Sequence, residues 1–307
     1  MIYEMRKAIA AILALVTAFQ ATAQNNPSVD LEIKQFEQQK IKSEKEYYGD
    51  IPARITKVVS SGDNSMADLM FRNAVEENWN ISPFEFCDYE EFDQLRTDTN
   101  YYFLLRLDKQ HRKDTDPSME FICFLKGNGK AAGDIAAMPE LLALPLYPEG
   151  DESDRIFSYL PAYMNIIQNY IQKIVDGKIY PSKRGKIYPG TPDKSRNSSI
   201  LFNKEDMAYM PPMQEFEKMF RGRAETVSQK NIDTALDTAA ARTLVSLTVF
   251  PSAEGKGAYC YKMLISADTY ELFYYKRHRI TPKKGAGFLK SDLRRISRLV
   301  TPDFKSR

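Results

Sequence analysis

Histidine is the scarcest chemistry-bearing residue in this chain: only His111 and His278 occur among 307 residues. That count excludes a histidine-rich metal site, and any Ser-His-Asp or Cys-His site would have to take one of the two as its base. Both histidines have basic neighbours rather than carboxylates, and no Gly-x-Ser-x-Gly nucleophile turn occurs. Carboxylate pairs such as Glu76-Glu77 and Glu90-Glu91 are adjacent in sequence, so on a helix their side chains diverge instead of flanking a substrate. The sequence therefore nominates no catalytic residue, no metal ligand and no cofactor.

Cysteine is nearly as sparse. Cys87, Cys123 and Cys260 are too few for a disulfide framework and form no Cys-x-x-Cys pair. Cys87 and Cys123 both fall on expected strands of the first half, so an oxidising compartment would join them if their backbones came within bonding distance. Buried free thiols are the alternative.

Long apolar runs are also missing beyond residue 24. A helix needs roughly 20 apolar residues to cross a bilayer, and the richest stretch, 156–175, is interrupted by Ser158, Asn165, Gln168, Asn169, Gln172 and Lys173. The first 23 residues are different. Arg6 and Lys7 precede an apolar run from Ala8 to Phe19, and Ala21, Thr22 and Ala23 place small residues before Gln24. This is the secretory pattern of a charged start, a short apolar segment and a small-residue cleavage site. Cleavage is expected between Ala23 and Gln24. No cysteine follows that point, so bacterial lipoprotein anchoring is not available there. The mature chain is expected to be exported, periplasmic or secreted, and soluble.

The remainder has the apolar content of a globular protein. Residues 24–50 read as a polar helical lead. From 51 to 176 the pattern is α/β: strand signals at Arg54–Val59, Phe84–Phe86, Tyr101–Leu107 and Met119–Leu125 alternate with helical faces at Met66–Ala74 and Tyr89–Leu95. A helix over 156–175 closes this first βαβαββ unit. Residues 177–198 form a linker or excursion loop that reads Gly-Lys-Ile-Tyr-Pro twice, at Gly177–Pro181 and Gly185–Pro189. Residues 199–307 replay the order of the first unit and end in a basic helix. The expected fold class is α/β (α+β), two candidate duplicated units, each a mixed sheet packed by helices.

The segments "ISPFEFCDYEEFDQL" (81–95) and "YYFLLRLD" (101–108) resemble, in order and texture, the small α/β units of the TolB amino-terminal domain and of LpoB-like penicillin-binding-protein activators. The segments "CYKMLI" (260–265) and "ELFYYKRHRI" (271–280), with the signal peptide, look like exported proteins of Bacteroides-type bacteria. The resemblance implies protein contact in the cell envelope and transfers no site residue.

Charge is unevenly placed. From Lys276 to Arg307 there are eleven Lys and Arg against Asp292 and Asp303. Lys276, Arg277, Lys283, Lys284, Arg294 and Arg295 are the candidate contacts for an anionic glycan, a lipid surface or an envelope protein, and Tyr274 and Tyr275 are candidate aromatic contacts. Gly285 to Gly287, ahead of the helix, suggest an anion-binding corner. Export argues against nucleic acid. The expected function is a non-enzymatic envelope protein that binds or scaffolds a partner; the rival is a carboxylate-dependent envelope glycan hydrolase.

Overall fold

The computed structural model describes residues 45–63, 65–109, 119–148, 154–179, 197–251 and 258–300. The signal peptide with its Ala23/Gln24 cleavage site, most of the polar lead, nearly all of the 177–198 repeat segment and His111 lie outside these residues. Among the described residues, no helix is long and apolar enough to cross a membrane.

The described residues form two five-stranded mixed sheets, each packed by helices. In the first, β1 (Thr56–Val59), β2 (Phe84–Cys87), β3 (Tyr102–Lys109), β4 (Met119–Lys126) and β5 (Glu140–Pro148) lie in the order β2-β1-β3-β4-β5. β1 pairs in parallel with β2 and β3, whereas β4 and β5 follow antiparallel. The connections supply α1 (Met66–Asn78) and α2 (Tyr89–Leu95), and α3 (Leu160–Val175) closes the unit.

Local chemistry sets these elements. The Ser65 hydroxyl accepts from the Asp68 amide, and the Asp88 carboxylate accepts from the Glu91 amide, so each helix start meets an orphan donor. Gln168 of α3, which reads in sequence as a break in an apolar run, is buried and docks the helix. Its side-chain oxygen accepts from the Asn80 and Ile81 amides, and its amide donates to the Asn78 carbonyl, closing the carboxy end of α1.

The second unit repeats the plan. β6 (Ser199–Asn203), β7 (Ala224–Val227), β8 (Thr243–Val249), β9 (Tyr259–Ser266) and β10 (Leu272–Arg279) lie in the order β7-β6-β8-β9-β10, with the same mixture of parallel and antiparallel pairs. Its helices are α4 (Met213–Phe220), α5 (Gln229–Asp237) and α6 (Lys290–Val300). Register makes the equivalence residue-specific. Thr56 pairs with Phe84 and Tyr102, and Ile200 pairs with Ala224 and Leu244; counted from these pairs, Arg106 corresponds to Thr248 and Phe121 to Tyr261.

The sequence reading of the first unit needs one correction: it has five strands, βαβαβββα, because β5 was not expected. Pro145 and Pro148 argue against a strand. They are tolerated because β5 is an edge of its sheet, where a missing N–H breaks no second ladder.

The units are not separate bodies. One apolar cluster runs from Val58, Phe103, Ile122 and Leu144 of the first sheet through Ile167 to Val245, Leu247 and Met263 of the second. The other face of the second sheet, with Phe202, Phe216, Phe288, Leu293 and Ile296, forms its own cluster under α4 and α6. The described end of the polar lead is attached to the first unit: Tyr48 is buried, and Lys126 donates to the Tyr47 carbonyl at 2.8 Å.

Candidate functional site

Among the described residues, α6 is the one helix whose polar face is dominated by cations. Leu293, Ile296 and Val300 bury its apolar side, which turns Lys290, Arg294, Arg295 and Arg298 outward around a shallow depression. Lys290 is tied to Glu215 of α4 at 2.9 Å and donates to the Tyr209 hydroxyl. Arg294, Arg295 and Arg298 are exposed and make no ion pair among the described residues.

The helix has a single acid, Asp292, and it points inward. Its side chain is fully buried. One carboxylate oxygen receives the buried Lys262 ammonium and the Leu289 amide; the other receives Lys276 at 2.8 Å and the Tyr274 hydroxyl at 2.8 Å. Burial pushes the Asp292 carboxyl up, but the hydrogen bonds from Lys262 and Lys276 outweigh it and hold the group down at about 2. Burial in turn lowers Lys262 below the ordinary lysine value.

This cluster corrects part of the sequence reading. Lys276 is engaged by Asp292, and Tyr274 is buried against it, so neither is a free surface contact. The anion-binding corner is also filled. The Gly287 amide points at the Cys260 sulfur, the Phe288 amide at the Asp206 carbonyl and the Leu289 amide at Asp292. Gly287, at φ +110°, must be glycine: a Cβ there would lie 2.4 Å from the Asp206 carbonyl oxygen. Lys283 and Lys284 stay exposed on the turn before α6, closed by reciprocal backbone bonds between Thr281 and Lys284. Arg277 is exposed on β10, its guanidinium over the Tyr259 ring. The structure thus gathers Arg294 and Arg295 with Lys290 and Arg298, the last two not singled out in advance although the i, i+4 spacing of 290, 294 and 298 was readable.

The Cys87–Cys123 disulfide does not form. β1 and β3 lie between β2 and β4, and three strand spacings amount to roughly 14 Å, well beyond disulfide reach. Both residues are buried free thiols, as is Cys260. Burial pushes Cys87 up to about 11 and Cys123 and Cys260 to about 12, which makes them poor nucleophiles.

Comparisons with protein-family models, with curated proteins and with solved structures find no match to this chain. Its site must be argued from its own geometry.

A second polar centre sits at the carboxyl ends of the parallel strands. In the first unit Arg106 faces Glu120 at 3.4 Å and Asp68 at 3.7 Å and donates to the Tyr147 hydroxyl at 3.0 Å. In the second, the fully buried Asp206 takes Arg155 at 2.7 Å, the Thr248 amide and hydroxyl, and the Ser246 hydroxyl. No group of three or more His, Cys, Asp or Glu among the described residues is arranged to hold a metal ion.

Proposed function

We propose that this protein is an exported, non-enzymatic envelope protein that binds an anionic partner, a polyanionic glycan or an anionic lipid surface, through the outer face of α6. The observation that carries this reading is the segregation of charge on one helix. Its only acid is buried on Lys262 and Lys276, while Arg294, Arg295 and Arg298 are exposed and form no ion pair among the described residues, Glu215 near Arg294 being already held by Lys290. A solvated helix face ordinarily mixes both signs, whereas exposed arginines held in no ion pair offer planar donors suited to phosphate, sulfate or carboxylate groups. The signal-peptide pattern at the amino terminus supplies the export part of the proposal.

The hydrolase reading has less support. Asp68 and Glu120 do converge, but on the Arg106 guanidinium, which occupies the space a sugar and an attacking water would need between two catalytic carboxylates.

Sedimentation with phosphatidylglycerol-containing and neutral vesicles, alongside binding to a sulfated glycan, tests the proposal. The native chain should bind at least one anionic probe and not the neutral vesicles, and binding should weaken as salt is added. The triple variant R294E/R295E/R298E should lose it. Equal binding by that variant would refute the assignment to α6.

A further inference from the structure

The geometry points to a second site, independent of α6: a pocket for a neutral, hydroxyl-rich ring of saccharide type at the junction between the two units. A cavity of about 270 Å³ lies there, with Tyr147 and Pro148 at the end of β5, Thr248 and Phe250 at the end of β8, and Arg155 and Glu205 from the short helical turns beside them.

Its position follows from the topology. In open α/β sheets ligands settle at the carboxyl ends of the strands where the connections diverge to opposite sides. β6 is flanked by β7 and β8 in parallel, so the exits of β6 and β8 form such a point. The equivalent point of the first unit is occupied by Arg106, whose guanidinium engages Asp68, Glu120 and Tyr147. The residue in that register position of the second unit is Thr248, which is too short to fill the space. The guanidinium that pairs with Asp206 arrives instead from the preceding connection, as Arg155. The substitution of a short side chain for a long one, with the cation supplied from the side, leaves the cavity between the units.

The lining argues for the ligand class. Arg155 is neutralised by Asp206, so a carboxylate or phosphate would meet no uncompensated cation. Its Nη2 is committed to Asp206 and its Nε is closed off from solvent, so the remaining N–H groups of this cavity-lining guanidinium are the donors it can offer. Glu205 only accepts. A donor and an acceptor lining one cavity suit groups that do both, which are hydroxyls. Pro148 and Phe250 offer apolar surfaces for the C–H faces of a ring. The volume lies just below the roughly 300–1,000 Å³ of pockets for drug-sized molecules, which fits one ring rather than a chain.

Calorimetric titration with galactose, glucuronic acid and glucosamine tests this. Galactose, or a second neutral hexose run in parallel, should bind in the millimolar range. Glu205→Ala should weaken that binding about tenfold, and Thr248→Arg, which restores the arginine of the first unit, should abolish it in a chain whose circular dichroism is unchanged. If Thr248→Arg does not fold, Phe250→Ala replaces it, with the same expected loss. R294E/R295E/R298E should leave hexose binding intact, which separates this site from α6. Absence of neutral-hexose binding, binding of only the acidic or the amino sugar, or hexose affinity unmoved by the pocket variants would overturn the proposal.

Discussion

Phe121 and Tyr261 meet edge to face, with ring centroids 5.5 Å apart, and they occupy the same register position in the two units. Contact between equivalent residues is what a two-fold relation produces at its axis. Both rings are buried, so the symmetric contact also lies in the core that joins the sheets. Truncating either ring should cost about 3–5 kcal/mol. Because each loses the same partner, F121A/Y261A should cost less than the sum of the single variants, by about 0.5–1.5 kcal/mol. Urea denaturation of the four proteins measures this, and strict additivity would show that the rings touch without mutual stabilisation.

The second tie between units is ionic. Arg155 belongs to the connection leading into α3, and Asp206 to the turn after β6, so their 2.7 Å contact fixes one unit against the other. A buried pair adds little beyond its desolvation cost, but removal of one member strands the other. Asp206→Ala should therefore destabilise by roughly 3–5 kcal/mol, and R155M/D206L should recover part of that loss. Thermal melts of the two variants check the order.

Much of this architecture was readable from the chain. The Asp88 cap, the alternation of Phe84 and Phe86 about Glu85 and the apolar stripe of α3 all act locally, and local chemistry leaves a local pattern. β5 escaped because its prolines conflict with strand propensity, and only its place at a sheet edge, a tertiary fact, reconciles them. The candidate sites were less legible for the same reason. Lys276 carries the same charge as Arg294 in sequence, but Asp292, sixteen residues on, neutralises one and not the other. The correspondence of Arg106 with Thr248 becomes visible only through strand register, since the two segments share little identity beyond Leu105 and Leu247.

The three thiols provide a direct check on the fold. Cys87, Cys123 and Cys260 are all buried, with their pKa values raised to between about 11 and about 12, so native protein should resist iodoacetamide at neutral pH. Unfolding in guanidinium should expose all three to alkylation without a reductant. Mass spectrometry would count the adducts; a chain that takes up only one until reduced would establish a disulfide and contradict the strand order.

The buried Asp292 cluster gives stability a specific dependence on pH. In the unfolded chain the carboxyl titrates near its ordinary value of 3.8, and in the folded chain it is held at about 2. A depressed folded pKa means that the contribution is complete above the unfolded value and declines as pH falls through the interval between the two. The linked free energy is about 2 kcal/mol, so native protein should lose about that much from this group between pH 4 and pH 2. Asp292→Asn removes the titrating group and leaves Lys262 buried without its counter-charge, at a cost of roughly 3–5 kcal/mol near neutrality. The gap between native protein and the variant should then narrow on acidification, because protonation deprives the native cluster of the same charge. Denaturant midpoints taken at pH steps across this range would show the convergence, and parallel curves would mean that Asp292 is not the group that titrates.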